Sequence, residues 1–242
     1  MRMEKRRDLN LIHLPEGTLV VSCDSCGGIG EKSGDAFACG SYYVGRFTAR
    51  VGLLEVMAIG ASPVVIGNGV ACEMEPTGRE IIRGIQAELK AAELPDTLLT
   101  GSTEENFPTV MTAVGMTVVG FASRLRMDPG EAGDLLLCFG RPKVGAEVGL
   151  EGDPELFSYQ QLKWLLAQPQ VREISPCGSK GIAWEGRCLA QLRERDFQPV
   201  SDCCLDLERS AGPATCAVAL VSRKAGEELA AAGKGVIIGE MR

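Results

Sequence analysis

Histidine is almost missing: His13 is the only one in 242 residues. Metal centres built on several histidines, HExxH among them, are therefore excluded. A Ser-His-Asp or Cys-His machine would rest on that one imidazole in an N-terminal stretch. Positive charge is also in short supply, with 25 Lys and Arg against 32 Asp and Glu and a formal net charge of −7. That argues against a duplex nucleic-acid partner, which needs a basic face. It does not argue against a nucleotide, because a few local cations and backbone N–H groups hold a phosphate. No apolar run reaches the roughly 18 residues of a membrane span. The basic start, Met1-Arg2-Met3-Glu4-Lys5-Arg6-Arg7-Asp8, leads into no apolar core of a secretory signal. The expectation is a soluble cytoplasmic protein. No Gly-x4-Gly-Lys-Ser/Thr phosphate loop occurs either. Gly178-Ser179-Lys180 and Gly233-Lys234-Gly235 are only fragments of one.

Glycine and cysteine are plentiful instead, at 30 and 10 residues. So much glycine implies tight turns or close backbone approaches to a ligand. Ten cysteines without a secretion signal do not suggest a disulfide framework. Cys23-x2-Cys26 has half of a zinc-site spacing and Cys203-Cys204 are adjacent, but no second CxxC or nearby histidine completes a site. Cys23 is expected to be buried in a strand, and Cys26 is a candidate thiolate beside phosphate chemistry.

Apolar periodicity organises the chain. Residues 18–24 read as a buried strand ending in Asp24, followed by a glycine-rich loop. Residues 42–59 read as a helix with Phe47, Val51, Leu54 and Ala58 on one stripe, ended by Gly60, and 62–70 as a strand. Thr77-Gly78-Arg79-Glu80 fits a capping box opening a second helix. Leu98-Leu99-Thr100 is a short strand, with Gly101 opening a loop. Residues 109–122 form a β-rich stretch interrupted at Gly115. A turn cluster at 127–133 suggests a boundary, giving domains 1–130 and 131–242. In the second, Asp153-Pro154 supplies an N-cap and N1 proline for a helix to about Ala167. Helices over 181–194 and from about Lys224, and strands over 135–139, 215–221 and 236–238, complete an α+β arrangement in two lobes.

Three segments carry candidate chemistry. Asp24 at a strand end, followed by Cys26-Gly27-Gly28-Ile29-Gly30-Glu31-Lys32, offers an oxygen ligand for Mg²⁺, N–H groups for phosphate and a neutralising lysine. The bland alternative is a glycine-rich hairpin with a solvated lysine. On the helix, Thr48, Gly52 and Glu55 share a stripe, so an acid sits beside a notch left by glycine. Its alternative is a glutamate at the core's edge. Thr100-Gly101-Ser102-Thr103-Glu104-Glu105 places hydroxyls and two acids after a strand, and its alternative is a polar turn.

Together these segments resemble the ATP-binding superfamily of aminoimidazole ribonucleotide synthetase, thiamine-monophosphate kinase, selenophosphate synthetase and a hydrogenase maturation protein. Cys23–Lys32 looks like the synthetase's Thr-Asp-Gly-Val-Gly-Thr-Lys. Gly52–Ala61 resembles the family's Asn-x-x-Asp-Leu-x-x-Met-Gly-Ala helix. Thr100–Glu105 resembles its Gly-Gly-Asp/Glu-Thr loop. The tail from Gly212-Pro213-Ala214-Thr215 to Gly239-Glu240 resembles the end of the second domain. Departures are Gly52 and Glu55 for the helical Asn and Asp, Ser102 for the loop acid, and a short second domain. In this combination the chain is similar to α-ribazole kinase.

The resemblance implies an N-terminal sheet that forms a shared barrel across a homodimer axis, with a smaller α+β lobe closing over the acceptor. It implies ATP and Mg²⁺ as cofactors. Asp24 and Lys32 would be catalytic. Asp24, Glu55, Glu104 and Glu105 would be metal ligands. Gly27, Gly28, Gly30, Arg46, Arg50, Gly101, Ser102 and Thr103 would line the nucleotide. The reaction implied is phosphorylation of the 5′-hydroxyl of α-ribazole. A thiamine-monophosphate kinase, a synthetase of the aminoimidazole ribonucleotide type and a non-catalytic nucleotide-binding module are the alternatives.

Overall fold

In the computed structural model, which describes residues 1–242, the chain starts with a hairpin to which the sequence reading assigns no strand. The strand β1 (Arg2–Arg6) pairs antiparallel with β2 (Leu9–Leu14). Alternation in Leu-Asn-Leu-Ile-His-Leu buries Leu9 and Leu11 completely and leaves Asn10 outside, as a half-buried strand requires. The strand β3 (Gly17–Gly27) follows. Then come the short parallel pair β4 (Ile29–Gly30) and β5 (Phe37–Ala38), and the helix α1 (Ser41–Ala58). After β6 (Ser62–Val70), one irregular helical turn over Met74–Gly78 leads into α2 (Arg79–Ala91), β7 (Leu98–Thr103) and β8 (Ala113–Ala122). These strands form one sheet in the order β1-β2-β3-β8-β6-β7.

Several expected boundaries move, each for a tertiary reason. β8 runs unbroken through Gly115, which is paired on both sides, with Ser25 and with Gly69. β7 continues past Gly101 to Thr103, because parallel pairing with β6 holds it to that point. The Thr77 capping box does not form: the Thr77 hydroxyl donates to Glu73 Oε1 at 2.5 Å, and α2 starts after Gly78 with no side-chain cap. Cys23 is exposed rather than buried, since its side of β3 is the sheet face away from α1.

The helix α1 lies against the inner face of this sheet. Ser22 Oγ donates to the Gly52 carbonyl at 3.1 Å, and Leu53, Leu54 and Val56 are fully buried. A helix apolar on most sides is one enclosed by its neighbours. It also meets α2 backbone to backbone: a Cβ on Gly45 would strike the Ile81 carbonyl oxygen, and one on Gly84 that of Tyr42.

Contacts divide the chain into two units, residues 1–57 with 61–124, and residues 58–60 with 125–242. The second unit holds β9 (Leu135–Gly140), α3 (Tyr159–Leu166), β10 (Val171–Pro176), α4 (Gly181–Gln191), β11 (Phe197–Pro199), β12 (Cys216–Val221), α5 (Arg223–Ala231) and β13 (Val236–Met241). Its sheet runs β10-β12-β9-β13-β11. Every residue of β12 is buried, so this central strand is covered on both faces. Leu136, Cys138, Val218 and Leu220 pack with Ile182 and Leu189 of α4. Leu135 and Leu137 meet α5 at Gly226. Each fully buried leucine contributes roughly 1.5–3 kcal/mol.

α3 is shorter than expected, because Ser158 rather than Asp153 is its N-cap. Ser158 Oγ accepts from the Gln161 N–H and the Gln161 side chain returns the bond. Asp153 is occupied by Lys143, 2.8 Å away, and by the Gly149 and Glu155 N–H groups. Cys138, Cys177 and Cys216 belong to the second core. The hydrogen bond to Cys216, together with burial, pushes the Cys138 thiol well up; such protonated thiols pack as small apolar groups. The architecture is α+β, and no helix is long and apolar enough to cross a membrane.

Candidate functional site

Sheet register brings two of the three segments to one level. Asp24 pairs with Met116, Met116 with Asn68, and Asn68 with Gly101. Ser25, Gly115, Gly69 and Ser102 make the next row in the same way. Strand spacing puts Asp24 and Gly101 about 14 Å apart across such a row. Pleating sends the two rows to opposite faces. Asp24 lies on the side of α1, and Ser25 and Ser102 lie on the outer side, where Gly67, Gly69 and Gly115 leave open space.

The glycine loop folds onto the segment that follows β7. The Gly28 N–H donates to the Thr112 carbonyl at 2.9 Å and the Gly34 N–H to that of Val110 at 2.8 Å. Asp35 ties the loop down, accepting from the Thr112 N–H at 2.7 Å, the Thr112 hydroxyl at 2.8 Å and the Lys32 N–H at 2.8 Å. Burial works to raise the Asp35 carboxyl, but these hydrogen bonds outweigh it and the net shift is downward. Lys32 Nζ reaches Glu73 Oε2 at 2.6 Å and the Thr109 carbonyl at 3.3 Å. The Lys32 hydrogen bond, helped by the Thr77 hydroxyl, lowers the Glu73 carboxyl to about 2. Glu73 is a participant that the sequence reading does not include. Its signal is weak, one acid before a Met-Glu-Pro turn 41 residues from its partner.

Glu104 and Glu105 lie in the same neighbourhood but serve as local braces. Glu104 Oε1 accepts from the Asn106 N–H at 2.7 Å, and its own N–H donates to the Cys72 carbonyl at 3.0 Å. Glu105 Oε1 accepts from the Met74 N–H and the Thr103 hydroxyl, both at 2.8 Å. Gly101, Ser102 and Thr103 are the last residues of β7. Gly27 ends β3, and Gly30 sits in β4.

Asp24 and Glu55 belong to a second locale. Burial raises the Asp24 carboxyl, the Asp8 carboxylate adds to the rise, and the Ser25 backbone opposes it. No cation pairs with Asp24. Burial and the nearby Asp24 charge push the Cys26 thiol up to about 11, which removes it as a ready nucleophile. Glu55 faces Arg7, whose Nη1 lies 3.5 Å from its Oε2. The notch at Gly52 is filled by Val118 and Ser22. Arg7 and Asp8 are further residues that the sequence reading does not select. Both come from the β1–β2 turn.

Arg46 and Arg50 form a third group. Arg46 Nε lies 3.0 Å from Glu88 Oε2 and Arg50 Nη1 lies 3.9 Å from Glu88 Oε1, joining α1 to α2 over a buried carboxylate. The four acids assigned to Mg²⁺ by resemblance do not converge. No group of three or more His, Cys, Asp or Glu side chains is placed to hold a metal ion. A resident three-carboxylate metal centre does not fit this donor set.

No protein-family model matches this sequence, and no curated protein matches it. Solved structures do match in fold. Thiamine monophosphate kinase from Aquifex aeolicus superposes with a TM-score of 0.68 at 13% identity, over 98% of this chain and 89% of that one. AaThiL complexed with AMPPCP and TMP gives 0.66 at 14% identity, over 97% and 84%. Hydrogenase maturation protein HypE in complex with ATP gives 0.64 at 15% identity, over 95% and 78%. At these identities the likeness establishes the shared fold.

Proposed function

We propose that the chain is an ATP-dependent phosphotransferase that phosphorylates the 5′-hydroxyl of a small nucleoside-like acceptor, α-ribazole. The observation that carries this reading is the fold. It spans nearly the whole of this chain and most of a kinase-type structure solved with the nucleotide analogue AMPPCP. The register that sets Asp24 level with Gly101 supports it, because it aligns two segments chosen for phosphate chemistry.

Nucleotide enters as its Mg²⁺ complex, a substrate rather than a resident centre. Lys32 moves from Glu73 to the β- and γ-phosphates, and Gly27, Gly30, Ser102 and Thr103 line the strand ends beside them. Phosphoryl transfer needs alignment and charge neutralisation more than covalent help from the protein. The acceptor oxygen bonds to the γ-phosphorus as the bond to the β-phosphate oxygen breaks. Asp24, raised by burial, is the carboxylate suited to take the hydroxyl proton. A neutral riboside needs no cationic funnel, which agrees with the net charge of −7. The departures at Gly52, Glu55 and Ser102 favour this acceptor over thiamine monophosphate.

A second copy of the chain completes the protein in this reading. The outer face of the first sheet carries half-exposed Leu19, Val21, Val65, Val119 and Phe121 beside its open glycines, and such a face calls for cover. The test incubates pure protein and MgATP with α-ribazole, thiamine monophosphate or formylglycinamidine ribonucleotide and follows each product by mass. α-Ribazole 5′-phosphate is expected. Turnover confined to either other substrate overturns the acceptor, and ATP binding without turnover favours the non-catalytic module.

A further inference from the structure

Between Arg7 and Arg46 the sequence has no Lys or Arg other than Lys32, so the glycine loop has a single side-chain cation to offer a phosphate. The fastening of the loop does not depend on that cation. Asp35 and the Gly28 and Gly34 N–H groups tie its backbone to Thr112 and Val110. Lys32 Nζ is nevertheless committed, to Glu73 Oε2 at 2.6 Å and to the Thr109 carbonyl at 3.3 Å. The two ends of the ion pair differ. Glu73 is held in place: its other oxygen, Oε1, accepts from the hydroxyl of buried Thr77, and its carbonyl accepts from the Gly78 N–H at 3.0 Å. Lysine is a point charge on a flexible four-carbon stem. A carboxylate and a phosphate make the same kind of charge-assisted hydrogen bond to it. A phosphate that reaches the loop therefore competes with Glu73, and the lysine is the partner able to move.

We propose that Glu73 is a built-in competitor of the nucleotide's phosphates for Lys32, an autoinhibitory contact that lowers the affinity of the loop for polyphosphate until the lysine is released. The part given to phosphate rests on the kinase reading above; the hold of Glu73 on Lys32 does not. Glu73 touches no reacting atom and acts through Lys32 alone.

Two readouts on the full chain test this, with folding of each variant checked by circular dichroism. The first is isothermal titration calorimetry with MgAMPPCP and with inorganic triphosphate. The second is the rate of tryptic cleavage after Lys32, followed by mass, which needs no ligand and tracks the fraction of chains whose lysine is released. E73Q is expected to bind both ligands about fivefold more tightly, the effect of an ion pair at this exposure, and to be cut after Lys32 about fivefold faster. E75Q leaves both readouts unchanged, because that carboxylate pairs with Arg79 at 2.6 Å instead. K32M/E73Q binds no more tightly than K32M. A gain that survives in the K32M background makes Glu73 a general source of repulsion and overturns the inference. So does an E73Q that binds with wild-type affinity or is cut at the wild-type rate. If E73Q does not fold, E73A takes the same measurements, and failure of both to fold makes Glu73 a structural residue and equally overturns the inference. If neither ligand binds any variant, the kinase reading fails, while the cleavage rates still decide whether Glu73 holds Lys32.

Discussion

The Lys32–Glu73 pair gives the most quantitative handle on the glycine loop. Lowering a carboxyl from its ordinary 4.5 to about 2 corresponds to at most ~3 kcal/mol of native-state stabilisation at neutral pH. Part of that belongs to the Thr77 hydroxyl, and the Glu73 side chain is 31% exposed against 17% for Lys32. Screening at that exposure leaves a pair coupling of about 1 kcal/mol. The sign is fixed by the direction of the shift. A carboxyl depressed in the native state stabilises fully above its unfolded value, and the benefit fades as pH falls from 4.5 towards 2. At pH 3 about 60% of it should be gone. A double-mutant cycle of Lys32→Met and Glu73→Gln, followed by urea unfolding at pH 7 and pH 3, measures this directly. On the proposed reaction, turnover in Lys32→Met should fall far more than stability, because there the lysine exchanges Glu73 for the phosphates. A coupling below ~0.3 kcal/mol at pH 7, or one that is the same at both pH values, would refute the reasoning.

Three more outcomes follow from the same geometry. Asp24→Asn should raise the melting temperature at pH 7 while cutting kcat about 100-fold or more. Burial penalises the ionised Asp24, so the gain should shrink as pH falls through the carboxylate range, and a less stable Asp24→Asn at pH 7 refutes the burial argument. Gly84→Ala should cost about 2 kcal/mol in urea unfolding, although alanine is worth ~1 kcal/mol more than glycine in a helix, because its Cβ meets the Tyr42 carbonyl. Gly115→Arg should leave the far-ultraviolet circular dichroism intact, since a side chain there meets nothing; on the proposed dimer, sedimentation should show the wild type as a dimer and this variant as a monomer, and a variant that still dimerises removes the outer face as the interface.

How far the sequence discloses this structure depends on whether a feature is local or set across the sheet. Strand β6 has the bounds 62–70 that its apolar run suggests, and α1 starts and ends within a residue of the stripe around Leu54. These elements are specified by their own periodicity and by Gly60. The failures share another cause. Thr77 has the spacing of a capping box, yet Glu73 outcompetes the helix for its hydroxyl. Asp153 stands before a proline in N-cap position, yet Lys143 draws it away. Cys23 and Asp24 are neighbours in one strand. Only the placement of α1 decides that the first is exposed while burial raises the second.

The candidate site shows the same division, and it bears on what the acids do. A carboxylate can be read as a metal ligand from sequence only if nothing else in the fold claims it. Glu104 is claimed by the Asn106 and Phe107 N–H groups of its own loop, a local fate that a polar turn always holds open, and Glu105 by the Met74 N–H, 31 residues away. Glu55 is claimed by an arginine 48 residues away, a partner that no spacing rule finds. Asp24 alone of the four has neither a cation nor a loop to brace, and burial works against its charge. In the proposed reaction this leaves Asp24 as the one carboxylate of the four without a competing ion pair or loop contact, which agrees with the role of proton acceptor argued for it above.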